Sequence, residues 1–381
     1  MPWRCRKAVA IATEVSWDAA SRSGLVDALS VNLKSLVIGL LAIPLVGLAM
    51  AGAAAALPLP CPTDTGWLVE RQITLPRRSP AGEAIGGFSA AQYDHATDSL
   101  LLLSDLPSGM ALRWTGLGRS PEPELQQLTA LRSGPGQLLP AAMDGEGLVV
   151  LGSQWWVASE GRRNPDRQAQ LLRFSATSGE LVAAIALPAA WQPGVGQGLA
   201  SNAGPESLLL LSGADHLQRP VLLMAAEQAL LQDSPHQVRL LRWQWPAGAD
   251  PARDDPRPQP QGALLLPRQE GWGLTDLLVP QPGQLLALLR RFEVPDRWQI
   301  RLALYPLPPA GSPDPVAALA QWDLIAAGLA PDNWEGLSLG PPLADGRPTL
   351  LLVSDDNLNP LQANRLALLT PNRTGTCPDQ S

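Results

Sequence analysis

Acidic residues stand at matching points of a pattern that recurs along this chain. The fullest copy is Asp332-Asn333-Trp334-Glu335-Gly336-Leu337, followed by the apolar run Thr349-Leu350-Leu351-Leu352-Val353 and then Ser354-Asp355-Asp356-Asn357. Weaker copies place Ser104-Asp105, Glu146-Gly147-Leu148 with Ser159-Glu160, and Leu274-Thr275-Asp276 with Arg290 at the corresponding points. Carboxylates drawn together repel one another unless they are protonated, paired or bridged by a metal. Calcium takes six to eight oxygen ligands and suits such a ring. A bridged cation could hold a phosphate and activate water, and Arg290 could grip a phosphate through its planar fork. On this reading Glu335, Asp355, Glu146 and Arg290 are the catalytic candidates. Asp105, Glu160, Asp276 and Asp356 are the candidate metal ligands, calcium is the expected ion, and no organic cofactor is expected. Taken singly, each acid also fits a purely structural role, because Ser-Asp at a strand end bonds turn amides and Glu-Gly can fix a turn.

Other reactive patterns fail on context. Gly336-Leu337-Ser338-Leu339-Gly340 matches the G-x-S-x-G string of serine hydrolases. That motif needs a strand–turn–helix setting, and Pro341 and Pro342 bar a regular helix directly after it. His95, His216 and His236 lie in polar turns without metal-ligand spacing. The RHGxRxP signature of histidine acid phosphatases and the Walker phosphate loop are both absent. Asn372-Arg373-Thr374 is a glycosylation string, meaningful only in a host that glycosylates.

The elements that would carry these acids are short apolar runs bounded by turn residues. Examples are Ser99–Leu103, Leu171–Phe174, Leu208–Leu211 and Leu285–Leu289. Leucine favours helices, but run length and flanking Gly, Pro, Asp and Ser point to strands. Gln299–Tyr305 alternates polar and apolar residues as a half-buried strand does. Repeats of this kind build an all-β propeller of four-stranded blades, with the acids converging on its axis. Five copies align, the third at Gln197-Gly198-Leu199 and Ser212-Gly213. Their uneven spacing leaves room for a blade without the motif, so six blades are expected, with five or seven as alternatives. Pro246 to Gly262, rich in Pro, Asp and Arg, reads as a surface loop.

With these motifs the chain resembles the phytase-like family, described by an esterase-like activity of phytase. The resemblance spans roughly Arg71 to Leu369. It is carried by Asn333–Leu337 with Leu351–Gln362, by Gly86-Gly87-Phe88-Ser89 with Leu103-Ser104-Asp105, and by Glu146-Gly147 with Ser159-Glu160. It implies a propeller, an exported protein and hydrolysis of phosphate or carboxylic esters. The chain departs from the family pattern where Gln197 and Gly213 replace acids of the third copy, and where Leu289 precedes Arg290 in the fourth. Those departures leave open a non-catalytic propeller that binds a ligand or partner. A lactone hydrolase is a neighbouring alternative.

The ends and the composition bound the setting. Residues 1–60 read as a signal peptide or an N-terminal membrane anchor, and 61–381 as a single propeller domain. Ser35 to Thr63 holds no charge, and its apolar core exits through Ala51-Gly52-Ala53-Ala54-Ala55-Ala56. The expected location is periplasmic or secreted, or an exported domain on a membrane anchor. Cys61 and Cys377 flank the body and are either a disulfide or two free thiols. Strand Trp67 to Leu75 is expected to pair antiparallel with Arg365 to Thr370 and close the ring. The chain carries a formal −7. The leader holds Arg4, Arg6, Lys7, Arg22 and Lys34 against Glu14, Asp18 and Asp27, so the body is left at −9. Such a body argues against nucleic acid as a partner. A small-molecule ester is the expected partner, membrane contact is confined to an uncleaved leader, and a monomer is expected.

Overall fold

The computed structural model describes residues 57–61, 66–107, 109–134, 136–139, 143–161, 168–211 and 219–372. The leader through Ala56, His216, Gly213, Cys377 and the last two residues of the glycosylation string lie outside them. Among the described residues no helix is long and apolar enough to cross a membrane.

Twenty strands form five four-stranded antiparallel sheets. Strand β1 (Trp67–Thr74) comes first and belongs to the last sheet. Blade 1 holds β2 (Phe88–Asp94), β3 (Ser99–Ser104), β4 (Met110–Thr115) and β5 (Glu124–Ala130). A small hairpin follows, β6 (Arg132–Gly134) with β7 (Gln137–Leu138). Blade 2 holds β8 (Gly145–Leu151), β9 (Gln154–Ser159), β10 (Gln170–Ser175) and β11 (Leu181–Ala186). Blade 3 holds β12 (Pro205–Leu211), β13 (Val221–Ala226), β14 (Gln237–Gln244) and β15 (Arg257–Leu265). Blade 4 holds β16 (Trp272–Leu278), β17 (Gln284–Glu293), β18 (Arg297–Pro306) and β19 (Ala320–Asp323). Blade 5 holds β20 (Asn333–Gly340), β21 (Thr349–Asp355) and β22 (Arg365–Pro371). Its fourth strand is β1, paired antiparallel to β22 from Trp67↔Pro371 to Thr74↔Arg365, which is the expected closure.

The first strands of the blades touch in the cyclic order β2, β8, β12, β16, β20 and back to β2, so the ring is a closed five-bladed propeller. This corrects the expectation of six. The wide step between the third and fourth copies holds no extra blade. It is filled by the long strands β14 and β15 and the turns around them. Pro246 to Gly262 is likewise only partly loop, since β15 begins at Arg257. Pro258 and Pro260 are tolerated there because β15 is an edge strand.

The leucine runs are strands because of where they sit. In β3, Leu100–Leu103 are all buried, as are Leu285–Leu289 of β17 and Leu350–Val353 of β21. Each such strand is covered by neighbouring blades on both faces, and burying each leucine contributes about 1.5–3 kcal/mol, far more than its weak helix preference. The outer strands alternate instead: β11 is half-buried and exposed by turns, and so is most of β1. Cys61 is disulfide-bonded.

Candidate metal centre on the propeller axis

Every innermost strand carries a β-bulge at the same point. Pairing skips one residue between Phe88 and Ala90, Gly145 and Gly147, Pro205 and Ser207, Leu274 and Asp276, and Trp334 and Gly336. The skipped residues are Ser89, Glu146, Glu206, Thr275 and Glu335. A bulge sets two residues against one and re-aims a side chain. Here the three glutamates of the five enter the axial cavity. The glycine after the glutamate has a packing reason. A Cβ on Gly147 would lie 2.4 Å from the Leu208 backbone nitrogen, and one on Gly336 would lie 2.5 Å from Val353.

A second set enters where each blade's second strand comes level with the start of the first. It comprises Asp105, Glu160, Glu227, Arg290 and Asp355. The Asp105, Glu160 and Glu227 amides donate to the carbonyls of Gly87, Asp144 and Gly204 at 2.9, 2.8 and 2.8 Å. Arg290 and Asp355 pair with Gly273 and Asn333 at the same level. Gly87 sits at φ +61°, and a Cβ there would stand 2.1 Å from Asp105 Oδ1. Asp144 and Asn333 complete the polar lining.

The result is a cavity of about 460 Å³ lined, among the described residues, by eight carboxylates, Asp105, Asp144, Glu146, Glu160, Glu206, Glu227, Glu335 and Asp355, and by the Arg290 guanidinium. Asp105, Asp144 and Glu146 each offer an oxygen within 4.8 Å of the others. Across from them Arg290 Nη1 donates to Glu335 Oε1 at 2.6 Å, and Nη2 donates to Glu227 Oε1 at 3.2 Å. Arg290 also donates to Asn333 Oδ1. Asn333 Nδ2 in turn donates to Glu335 Oε1 at 2.8 Å and Asp355 Oδ2 at 3.1 Å.

The crowding shows in the protonation equilibria. Burial, then the charges of Asp355 and Asp144, push Asp105 up to about 8. Burial first, and then neighbouring carboxylates, hold Glu146 and Glu206 well above the usual range. Glu335 is also raised well above it by burial, with Arg290 opposing. Burial brings Asp355 to about 6 against the pull of the Asn357 amide. Burial works against the Arg290 charge, but Glu335, Glu227 and Glu206 outweigh it and raise its pKa. The donor set fits a hard divalent cation: oxygen ligands, three of them close together.

Six of the eight residues singled out from sequence meet in this cavity: Glu335, Asp355, Glu146, Arg290, Asp105 and Glu160. Asp276 and Asp356 lie outside its lining. Asp276 follows the bulge residue Thr275, so alternation turns it between blades. There it accepts from the Leu337 amide at 2.7 Å, its own neighbour Leu277 at 2.8 Å and Ser207 Oγ at 3.0 Å. Asp356 faces away from its neighbour Asp355, accepting from the Gly87 amide at 3.1 Å and pairing with Arg77 at 3.2 Å.

Glu206, Glu227, Asp144 and Asn333 were not singled out. The signal for two of them was present: Glu206-Ser207-Leu208 follows the Glu-Gly-Leu pattern with serine for glycine, and Ala226-Glu227 follows Ser159-Glu160. The third blade therefore retains both of its acids. The loss read at Gln197 and Gly213 came from placing the third copy too early in the chain. Ser338 lies in strand β20, accepting from the Tyr93 amide and donating to the Leu339 carbonyl, with no nucleophile turn around it. His95 packs edge-on to Tyr93 away from the axis. His236 occupies the turn before β14.

No curated protein matches this chain. Solved structures match it weakly. An endo-arabinase from Bacteroides thetaiotaomicron is 11% identical with a TM-score of 0.41, covering 77% of this chain and 97% of its own. A Cellvibrio cellulosa α-L-arabinanase mutant is 10% identical at 0.42, covering 75% and 92%. A gluconolactonase from Xanthomonas campestris is 12% identical at 0.36, covering 83% and 99%. Likenesses at this level carry no functional argument. The family model described as "Phytase-like: Esterase-like activity of phytase" matches residues 83–358, most of the chain and all five bulged strands, and the protein belongs to that family.

Proposed function

We propose that this protein is an exported, calcium-assisted ester hydrolase acting foremost on phosphate monoesters. The observation that carries this reading is the convergence of eight carboxylates from four blades, and of the Arg290 guanidinium from the remaining one, on a single cavity. Asp105, Asp144 and Glu146 are the residues that would hold the ion. When bound, a divalent cation supplies positive charge to the ester oxygens and makes water more acidic. Arg290 is held in place by Glu335, Glu227 and Asn333, presenting a cation to the anionic end of an ester. Asp355, at about 6, exchanges its proton near neutral pH, which suits it to accept one from water. The apolar leader and the bonded Cys61 support export, where calcium is plentiful and disulfides persist.

The test is turnover by the purified full-length chain of phenyl phosphate, phytate, a short carboxylic ester and a sugar lactone, each with calcium and with chelator. Calcium-dependent hydrolysis that falls about a hundredfold in Glu335→Gln is the expected result. Absence of turnover on all four would replace the hydrolase with a ligand-binding propeller.

A further inference from the structure

Blade 4 differs from the others at the mouth of the cavity. In blades 1, 2, 3 and 5 the second strand stops at or just before its axial acid. In blade 4, β17 runs on past Arg290 and β18 answers it. The ladder continues through Arg291↔Gln299, Phe292↔Trp298 and Glu293↔Arg297. Alternation places Phe292 on the same face as Arg290. Phe292 and Trp298 line the cavity with Arg290 and, among the described residues, are its only aromatic side chains.

The pair is built to stay there. The two rings lie 4.7 Å apart and tilted by 47°. Trp298 packs on the core shared by blades 4 and 5, while Phe292 remains 46% exposed. The other face of the hairpin is polar and braced. Arg291 Nε donates to the Glu270 carbonyl at 2.7 Å, and Glu293 accepts from Arg291 and Gln299, both at 3.3 Å.

An acidic, cation-binding floor beside one aromatic wall suits a ligand with two unlike ends. We infer that Phe292 and Trp298 receive the aromatic alcohol portion of a phosphate monoester whose anionic end faces Arg290. This rests on the hydrolase reading and narrows it. Aryl esters gain from ring stacking, whereas a polyphosphorylated polyol gains nothing from the wall.

The test is calorimetric binding of phenylphosphonate and methylphosphonate to the calcium-loaded full chain, with phenyl phosphate turnover measured in parallel. Wild type is expected to prefer the phenyl ligand about five- to tenfold. In Phe292→Ala the preference falls close to one, and Trp298→Leu lowers it as well. Phe292 is half exposed, so its truncation removes little core. Equal affinities in wild type, or a preference untouched by Phe292→Ala, would overturn the aromatic wall even where turnover occurs. A preference lost in the variant without any turnover would uphold the wall and sink the hydrolase alone. Binding of neither phosphonate would overturn both.

Discussion

Two kinds of carboxylate coexist in this propeller, both largely withdrawn from solvent. Asp276 and Asp356 are surrounded by donors: amides of Leu337, Leu277 and Gly87, the Ser207 hydroxyl and the Arg77 guanidinium. Each ties one blade to another. Asp105, Glu146 and Glu206 are instead pushed upward by burial and by the charges of other carboxylates. The first kind is finished by the protein itself. The second is crowded by like charge, which burial and proximity relieve by favouring the protonated form. Residue type and burial do not separate the two kinds. Partners do.

The sharpest way to break this contrast is to remove a fastener. Asp276→Ala strands the Leu337 amide and Ser207 without their acceptor. It should cost about 3 kcal/mol of stability by chemical denaturation while leaving the calcium response intact. A loss of calcium response with unchanged stability would place Asp276 with the axial acids instead. The next effect is the ion itself. Calcium at a hundredfold over its dissociation constant should add about 2.7 kcal/mol. That gain should be larger at pH 8 than at pH 5, because protons and calcium compete for the same oxygens. The sign for the chelated protein runs the other way. The axial acids have folded pKa values above their unfolded ones, so the native state binds more protons. Stability is therefore full below about pH 4 and falls as pH rises through about 6 and 8, the values of Asp355 and Asp105. A thermal melt series in chelator that rises with pH would contradict this. The smallest effect is the relief of crowding. Glu146→Gln should stabilise the chelated protein by about 1 kcal/mol at pH 8, and the same change should weaken calcium binding by titration.

Much of this was legible in the sequence, for physical reasons. Glu335 and Glu146 announced themselves because each is followed by a glycine that the close approach of neighbouring strands demands. Glu206 was hidden because Ser207 fits the same place without the glycine signal. Asp276 misled because a strand alternates faces with every residue, so an acid one position late points between blades. The leucine runs and β1–β22 closure could be read from pattern and position. Blade number could not, since the spacing of copies mixes blade size with the length of β14, β15 and their turns. The Phe292–Trp298 pair was invisible until the register of β17 and β18 set the rings opposite each other.

Closure by β1 and β22 also bears on how the ring is held shut. Four blades can form from hairpins between neighbouring segments, but the fifth must join strands from opposite ends of the sequence, with the loop-closure entropy that such a contact costs. Until then β22 has an open edge, whereas the axial cavity, lined from the first and second strands, depends on β20 meeting β2. Bringing the acids together and sealing the outer edge are therefore separate contributions to the stability of the ring.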